Sequence, residues 1–163
     1  METRVLATQE EFEQCARLIR DAFATVAAEF NYTKENASTF PAFITTEKLL
    51  SESAKGVRFF GFFDGPHQVG SVALEKAPEQ ENVFFLERLA VHPAARHRGL
   101  GVQLMDVAVD QARQQGGKTV KIAIVDENRV LKNWYTAYGF RETGIKTYPH
   151  LPFTVCFMEK TIS

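Results

Sequence analysis

The sequence has little of what marks several specialised protein classes. Its 163 residues include only two cysteines, Cys15 and Cys156, which cannot build a disulfide framework and fit no zinc-ligand spacing. Its 19 basic residues are balanced by 20 acidic ones, whereas nucleic-acid binders normally have a basic excess. No fixed repeat, no membrane-length apolar run and no signal-peptide core is found. We therefore expect a soluble, cytoplasmic protein with no nucleic-acid partner, no membrane and no metal.

The composition is that of an ordinary globular chain. Hydrophobic residues make up 45% of the sequence and charged residues 24%, within the range of folded domains. The length is close to that of one domain, and it is enough to bury a substantial core. We therefore expect residues 1–163 to form a single domain.

Hydrophobic periodicity predicts an α/β protein. Helices are expected where apolar residues recur every three or four positions, and strands where aromatic and β-branched residues cluster. In chain order the predicted elements are a strand at Val5–Ala7, a helix from Thr8 to Phe30, a short helix from Thr45 or Thr46 to Gly56, strands at Val57–Phe63, Val69–Leu74 and Val83–Val91, a helix at Gly99–Gln115, a strand at Val120–Val125, a helix at Asn128–Tyr138, and strands at Phe140–Thr147 and Phe153–Thr161. Asn31–Pro41 is expected to be a loop or a broken helix. This order predicts one mixed sheet with helices on both faces.

The segment after the longest predicted strand is typical of an anion site. It reads Arg96-His97-Arg98-Gly99-Leu100-Gly101 and opens a helix. A helix start offers unpaired N–H groups and positive potential, and glycine has no Cβ to keep a phosphate at a distance. A plain turn could also use two such glycines. A dinucleotide fingerprint is disfavoured, because it needs Gly or Ala at Leu104, and no Walker-type Gly-Lys-Ser/Thr follows.

These residues resemble a known family. Arg96 to Gly101 fits the Q/R-x-x-G-x-G/A signature of the GNAT superfamily of acyl-CoA-dependent N-acyltransferases. The resemblance extends upstream through Leu89-Ala90-Val91-His92-Pro93, and downstream to an N-x₆-Y-x₃-G-F pattern formed by Asn128, Tyr135, Gly139 and Phe140. Leu131 departs from the family, which often has Ala there. The resemblance implies the GNAT fold, one mixed, largely antiparallel sheet of about seven strands, splayed next to the strand 83–91.

The resemblance also implies a co-substrate, acetyl-CoA, and the residues that hold it. The loop amides would bind the pyrophosphate of coenzyme A, at Arg96, His97, Arg98, Gly99, Leu100 and Gly101. The pantetheine arm would pair with the backbone of Leu89 and Val91, which places the thioester near Leu89 and Ala90, where an N–H can polarise its carbonyl. Asn128 resembles the asparagine that contacts this arm, and it can equally cap the following helix.

Two side chains are candidates for the proton transfers of the reaction. Tyr135 matches the family tyrosine near the thioester sulfur, where a phenol could protonate the leaving thiolate. The alternative is that it packs on the helix's apolar stripe, and Tyr138 is a second candidate. Glu87 could take the proton of the acceptor amine, because strand parity puts it on the same face as Leu89 and Val91. The alternative is a surface glutamate paired with Arg88 or a cross-strand lysine.

The acceptor is expected to be a small-molecule or peptide primary amine. The resemblance places its entry between the first helices and the last hairpin, a region that contains Phe23, Phe30, Tyr32, Phe40, Phe43, Tyr148 and His150 with Glu29, Glu35 and Glu47. Aromatic and carboxylate groups would suit an amine with an apolar body. The alternative is that most of these aromatic residues belong to the core, since the chain has 14 Phe in all. A non-catalytic acyl-CoA-binding or regulatory module of the same fold is the alternative function. The sequence does not specify the oligomeric state, and a homodimer stays open.

Overall fold

A computed structural model describes residues 1–163. It confirms the predicted order of elements, which is β1 (Glu2–Val5), α1 (Gln9–Glu29), a 3₁₀ turn (Pro41–Phe43), α2 (Thr46–Ala54), β2 (Arg58–Asp64), β3 (His67–Lys76), β4 (Val83–Val91), a second 3₁₀ turn (Pro93–Ala95), α3 (Leu100–Gln114), β5 (Thr119–Val125), α4 (Arg129–Tyr138), β6 (Arg141–Thr147) and β7 (Thr154–Thr161). The first strand lies earlier than the predicted Val5–Ala7. Its backbone pairs with β2, so the hydrogen-bonding register rather than the apolar residues sets its position.

The seven strands form one sheet in the order β1-β2-β3-β4-β5-β7-β6. Every neighbouring pair is antiparallel except β4 and β5, which are parallel. The sheet is therefore mixed and largely antiparallel, as predicted. None of the helices combines the length and the apolar character needed to cross a membrane.

Local sequence signals fix the helix ends. The Thr8 hydroxyl accepts a hydrogen bond from the Glu11 amide at 3.1 Å, and the Glu11 carboxylate accepts one from the Thr8 amide at 3.0 Å. This reciprocal capping box starts α1, as the sequence predicted. The Asn128 side chain caps α4 by accepting a hydrogen bond from the Leu131 amide, with no reciprocal bond, and Gly139 ends the helix with a φ of 121°, which favours glycine.

Two apolar cores cover the two faces of the sheet. On one face, called the α3 face below, α3 and α4 bury residues such as Leu104 and Met105 against β2–β5 and β7. On the opposite face, the α1 face, α1 and α2 bury Phe12, Ile19 and Leu49 against β2–β4. Helix α1 packs on β3 and β4, and a cavity lies where β4 and β5 diverge.

The divergence of β4 and β5 is seen in their short pairing, and a bulge in β4 accompanies it. The two strands pair only from Val83 to Phe85, although β4 continues to Val91 and β5 to Val125. In addition, the pairing of β4 with β3 shifts register between Ser71 and Ala73, where Arg88 has a φ of 54°. A bulge of this kind bends its strand and increases the local twist. The predicted splay next to strand 83–91 is therefore present.

Candidate active site

A cavity of about 760 Å³ occupies the gap between β4 and β5. Four predicted site residues line it together, namely Glu87, Leu89, Asn128 and Tyr135. They come from the middle of β4, the loop before α4 and the buried side of α4. The topology therefore brings together residues from two distant parts of the chain at the point where the sheet opens.

The predicted strand parity of Glu87 is wrong. Glu87 pairs with Ala73, whose side chain belongs to the α1-face core, and Leu89 and Val91 pack against the α3-face core. The bulge at Arg88 adds one residue and reverses the alternation of side chains beyond Glu87. Glu87 therefore shares its face with Ala90, and it reaches the gap from the side opposite to Leu89.

Tyr135 enters the gap from the α3 face. Its ring is 5% exposed and packs edge-on against Trp134 and Phe140. Its hydroxyl has no hydrogen-bond partner in the protein. The only side-chain N or O atom that is both fully buried and without a partner is Gln68 Oε1, so the Tyr135 hydroxyl is not fully buried. The Tyr135 hydroxyl therefore stays accessible from the cavity. Burial raises the pKa of Tyr135, so its proton is held at neutral pH.

Tyr138 is engaged elsewhere. Its hydroxyl donates to Asp106 Oδ1 at 2.6 Å on α3, and its ring does not line the cavity. Burial, followed by the hydrogen bond to Asp106, raises the pKa of Tyr138. Of the two tyrosines on α4, only Tyr135 presents its hydroxyl to the gap.

Glu87 is a half-buried carboxyl with an unusual environment. The pKa of Glu87 is raised to about 7. The largest cause is burial, followed by a hydrogen bond to Glu75 and then by the negative charges of Glu75 and Glu52. Glu75 is close because it lies two residues from Ala73, the cross-strand partner of Glu87. The alternative of a surface glutamate paired with Arg88 is wrong, because Arg88 binds Glu52 instead.

Arg88, Ser71 and Glu52 form a support that the sequence analysis missed. The Arg88 guanidinium donates to Glu52 on α2 through Nη2 at 2.7 Å and Nε at 3.2 Å. The Ser71 hydroxyl donates to the Arg88 carbonyl at 3.0 Å. The positive φ of Arg88 is costly for a residue with a side chain, so these contacts hold the bulge. Pairing β3 with β4 from the sequence could have placed Glu75 near Glu87. No local sequence signal predicts a bulge at an arginine.

The loop after β4 ends in an open helix start. His97 and Gly99 both adopt positive φ, at 65° and 74°, and no side chain caps the start of α3. A Cβ added to Gly99 would meet no atom within 4 Å, so the space above the first amides of α3 is open. Gly101 is required for packing, because a Cβ added there would lie 3.0 Å from the Trp134 ring. Gly101 allows close packing of α3 on α4.

The side chains of the other predicted cofactor-binding residues lie in different environments. Arg96 Nη2 donates to the Ala22 carbonyl of α1 at 2.7 Å, so Arg96 ties the loop to that helix. Arg98 is exposed and lines a second, smaller cavity of about 510 Å³. Leu100 is a buried core residue and offers only its backbone. Ala90, Val91 and the loop from 96 to 101 lie outside the larger cavity, beyond its Leu89 end along the chain.

Only some of the side chains predicted for the acceptor region line the cavity. Phe23 and Phe40 line the cavity, together with Phe153 and Leu151 from the loop between β6 and β7. Tyr32 packs behind them. The other predicted side chains do not line it, namely Phe30, Phe43, Tyr148, His150, Glu29, Glu35 and Glu47. The three glutamates are exposed, because solvation of their charges outweighs any contact with the apolar cavity.

A separate cluster brings Asp126, Glu142 and Cys156 within 4.8 Å of one another. The Lys132 ammonium sits among them, 2.7 Å from Asp126 Oδ1 and 2.5 Å from Glu142 Oε1. Hydrogen bonds to these carboxylates raise the pKa of Lys132, so its charge is held. Lys132 thus supplies the positive charge that these acids need, and the cluster ties α4 to β6.

Comparison with known proteins finds N-acetyltransferases among the relatives and the structural neighbours. An uncharacterized N-acetyltransferase in the pepI 3′ region of Lactobacillus delbrueckii subsp. lactis is 24% identical over 141 residues, which cover 83% of this chain and 82% of that protein. The PaiA N-acetyltransferase of Thermoplasma acidophilum, in complex with coenzyme A, superposes with a TM-score of 0.78 at 21% identity over 99% of both chains. The ribosomal-protein-S18-alanine N-acetyltransferase of Escherichia coli gives 0.76 at 16% identity, over 99% of this chain and 94% of that one.

These structures show a shared fold. The family itself is shown by a sequence model, described as the acetyltransferase (GNAT) family, that matches residues 13–140. The match includes both predicted motifs, the loop at Arg96–Gly101 and the segment from Asn128 to Phe140. The chain therefore belongs to the GNAT acetyltransferase family.

Proposed function

We propose that this protein transfers the acetyl group of acetyl-CoA to a primary amine, by direct transfer while both are bound. The observation that carries the proposal is that one cavity receives a phenol from one face of the sheet and a carboxyl from the other. Tyr135 lies on the α3 face and Glu87 on the α1 face. An acid and a base on opposite sides of one gap are what acyl transfer between two separately bound substrates requires.

The residues present fit coenzyme A. Beyond Phe85 the side of β4 that faces β5 has no strand partner, so the backbone at Leu89 and Val91 is available to an extended amide chain such as pantetheine. The open start of α3 at Gly99 suits the pyrophosphate. Arg98 and the amides from Arg96 to Gly101 would complete that site, with Ala90 beside the thioester.

Asn128 is the N-cap residue of α4. Its side-chain oxygen accepts from the Leu131 amide at 3.2 Å and caps α4. The same side chain lines the cavity, and its NH₂ group has no partner among the hydrogen bonds of the protein. We therefore assign Asn128 a double role, in which it fixes the start of α4 and donates to the pantetheine arm.

When bound, acetyl-CoA supplies a thioester whose carbon–sulfur bond is exchanged for a carbon–nitrogen bond to the amine. Glu87 takes the proton that the ammonium group must lose before its nitrogen can attack. A carboxyl with a pKa of about 7 is a stronger base than an ordinary glutamate, and about half of it is ionised at pH 7. The Tyr135 hydroxyl donates its proton to the departing sulfur. The nitrogen loses its second proton as the amide forms, and this proton restores the phenol, while the proton taken by Glu87 passes to solvent, so atoms and charge balance.

The test is an assay of thiol release from acetyl-CoA with a panel of primary amines and peptide N-termini. Amine-dependent release is expected for the wild-type protein. Binding of coenzyme A without release for any acceptor would favour the non-catalytic module instead.

Gly99→Val tests the pyrophosphate site. The branched side chain would fill the open space above the α3 amides, and calorimetry should show coenzyme A affinity reduced by about tenfold or more. Gly56→Val is the matched control, since Gly56 also has a positive φ and open surroundings but lies after α2. Equal affinities in the two variants would remove the assignment.

A further inference from the structure

We propose that the acceptor is a primary amine on an apolar body with no second positive charge, and that the cavity disfavours diamines and polyamines. The inference rests on the acetyl transfer proposed above and names the class of its acceptor. It comes from the composition of the α1-face part of the cavity, which differs from the composition that the sequence predicted.

The floor of this part is an apolar sheet surface. Ala123 pairs with Phe157, and Val125 pairs with Val155. Ala123 and Val125 alternate along β5 with Ile122 and Ile124, which belong to the α3-face core. Ala123, Val125 and their partners on β7 therefore point to the α1 face, and these four side chains line the cavity. Apolar atoms of an acceptor would be removed from water on this surface.

The wall is aromatic and held in place before any ligand arrives. Phe40 packs on Tyr32 at 5.0 Å and on Phe153 at 6.2 Å between ring centroids, and Phe23 packs edge-on against Phe40 at 5.8 Å. These contacts join α1 and its following loop to the loop before β7. A wall of fixed rings costs little ordering on binding, so an apolar body fits it well.

Glu87 is the only carboxylate that lines the cavity. The nearby acids do not line the cavity and have other partners. Glu75 is hydrogen-bonded to Glu87, Asp126 binds Lys132, and the Glu127 carboxylate accepts from the Thr154 amide at 2.9 Å. One carboxylate can serve one ammonium group, the one that reacts.

The remaining charges in the cavity are positive. Arg88 is neutralised by Glu52. Lys121 forms no ion pair with a carboxylate, and its ammonium group donates a hydrogen bond to Gln80 Oε1 at 3.4 Å. A second ammonium group in the cavity would therefore lose its water without gaining a counter-charge and would face Lys121. The cavity selects against such acceptors by charge as well as by apolar contact.

The experiment compares hexylamine with 1,6-diaminohexane, which differ only by the second amine. The protein is saturated with acetyl-CoA for kinetics and with coenzyme A for calorimetric titration of each amine. We expect kcat/KM and affinity to favour hexylamine by about tenfold or more. Diaminohexane that equals or exceeds hexylamine in both measurements would overturn the inference. A preference in binding with no acetylation of either amine would support it while contradicting the proposed transfer.

Two variants test the cause of the preference. Lys121→Gln removes the unpaired cation, and Ala123→Asp, at an exposed position of the floor, adds a carboxylate. Each should raise the kcat/KM for diaminohexane relative to hexylamine by about threefold or more. Ala137→Asp, at an exposed position of α4 outside the cavity, is the control and should leave the ratio unchanged. A ratio unaffected by Lys121→Gln and Ala123→Asp alike would contradict the charge argument.

Discussion

Arg88 and Glu52 join the bulge of β4 to helix α2 through two parallel hydrogen bonds, at 2.7 Å and 3.2 Å. Both side chains are 15% exposed, so the pair is shielded from water. The bulge that this pair holds turns Leu89 to one face of the sheet and leaves Glu87 on the other. The ion pair thus supports the separation of the two substrate sides.

Glu52→Gln should destabilise the protein, because it leaves the Arg88 charge half-buried without its partner. We expect a loss of about 1–3 kcal/mol in the free energy of unfolding, measured by urea titration. Asp110→Asn breaks an exposed pair with Arg113, whose side chains are 62% and 49% exposed, and should cost less than about 0.5 kcal/mol. Equal losses in the two variants would mean that the Arg88–Glu52 pair holds nothing in place.

Glu87→Gln should lower kcat roughly 10²-fold or more at pH 7, with coenzyme A affinity almost unchanged. The wild-type kcat/KM should fall as pH decreases through about 7, because the Glu87 carboxyl, with its pKa near 7, becomes protonated there and can no longer accept a proton. The defect of the variant should shrink as pH rises and more of the amine is already neutral. A variant with the wild-type pH profile would assign Glu87 to a structural role.

Glu75→Gln tests why the pKa of Glu87 is raised. Removing the Glu75 charge takes away a repulsion that favours the protonated form of Glu87. The acid limb of the kcat/KM profile should therefore move to lower pH, by about one pH unit. Glu79→Gln, at an exposed position after β3, should leave the limb where it is. A shift to higher pH in Glu75→Gln would contradict the assignment.

Tyr135→Phe should keep the fold, since it removes one unpaired hydroxyl and retains the ring packing. If the phenol protonates the departing sulfur, kcat should fall roughly 10²–10⁴-fold and coenzyme A affinity much less. Tyr138→Phe loses its hydrogen bond to Asp106 and should cost about 1 kcal/mol of stability with little change in kcat. Full turnover in Tyr135→Phe would show that another donor, such as water, protonates the sulfur.

The fold could be predicted in large part because its signals are local. The capping box at Thr8 and Glu11, the helix period of α3 and the two motifs each depend on a few neighbouring residues. The face of Glu87 could not be predicted, because the parity rule assumes an unbroken strand and an arginine at positive φ gives no sign of a bulge.

The acceptor side was harder to predict for a different reason. Glu29, Glu35 and Glu47 occur in the right region of the sequence, but spacing does not tell which loop side chains turn inward. The sequence predicts a strand from Phe153, but β7 begins at Thr154, and Phe153 lies in the loop that forms part of the cavity wall. Such placements depend on packing between distant segments, here on contacts between Phe153, Tyr32 and Phe40.

The central claim is direct acetyl transfer across the gap between β4 and β5. It is tested by mass spectrometry of the protein and of hexylamine after incubation with acetyl-CoA, first without the amine and then with it. We predict unmodified protein in the first sample and N-acetylhexylamine, formed only with the protein present, in the second. An acetylated protein before the amine is added, or bound coenzyme A with hexylamine left unmodified, would contradict the account.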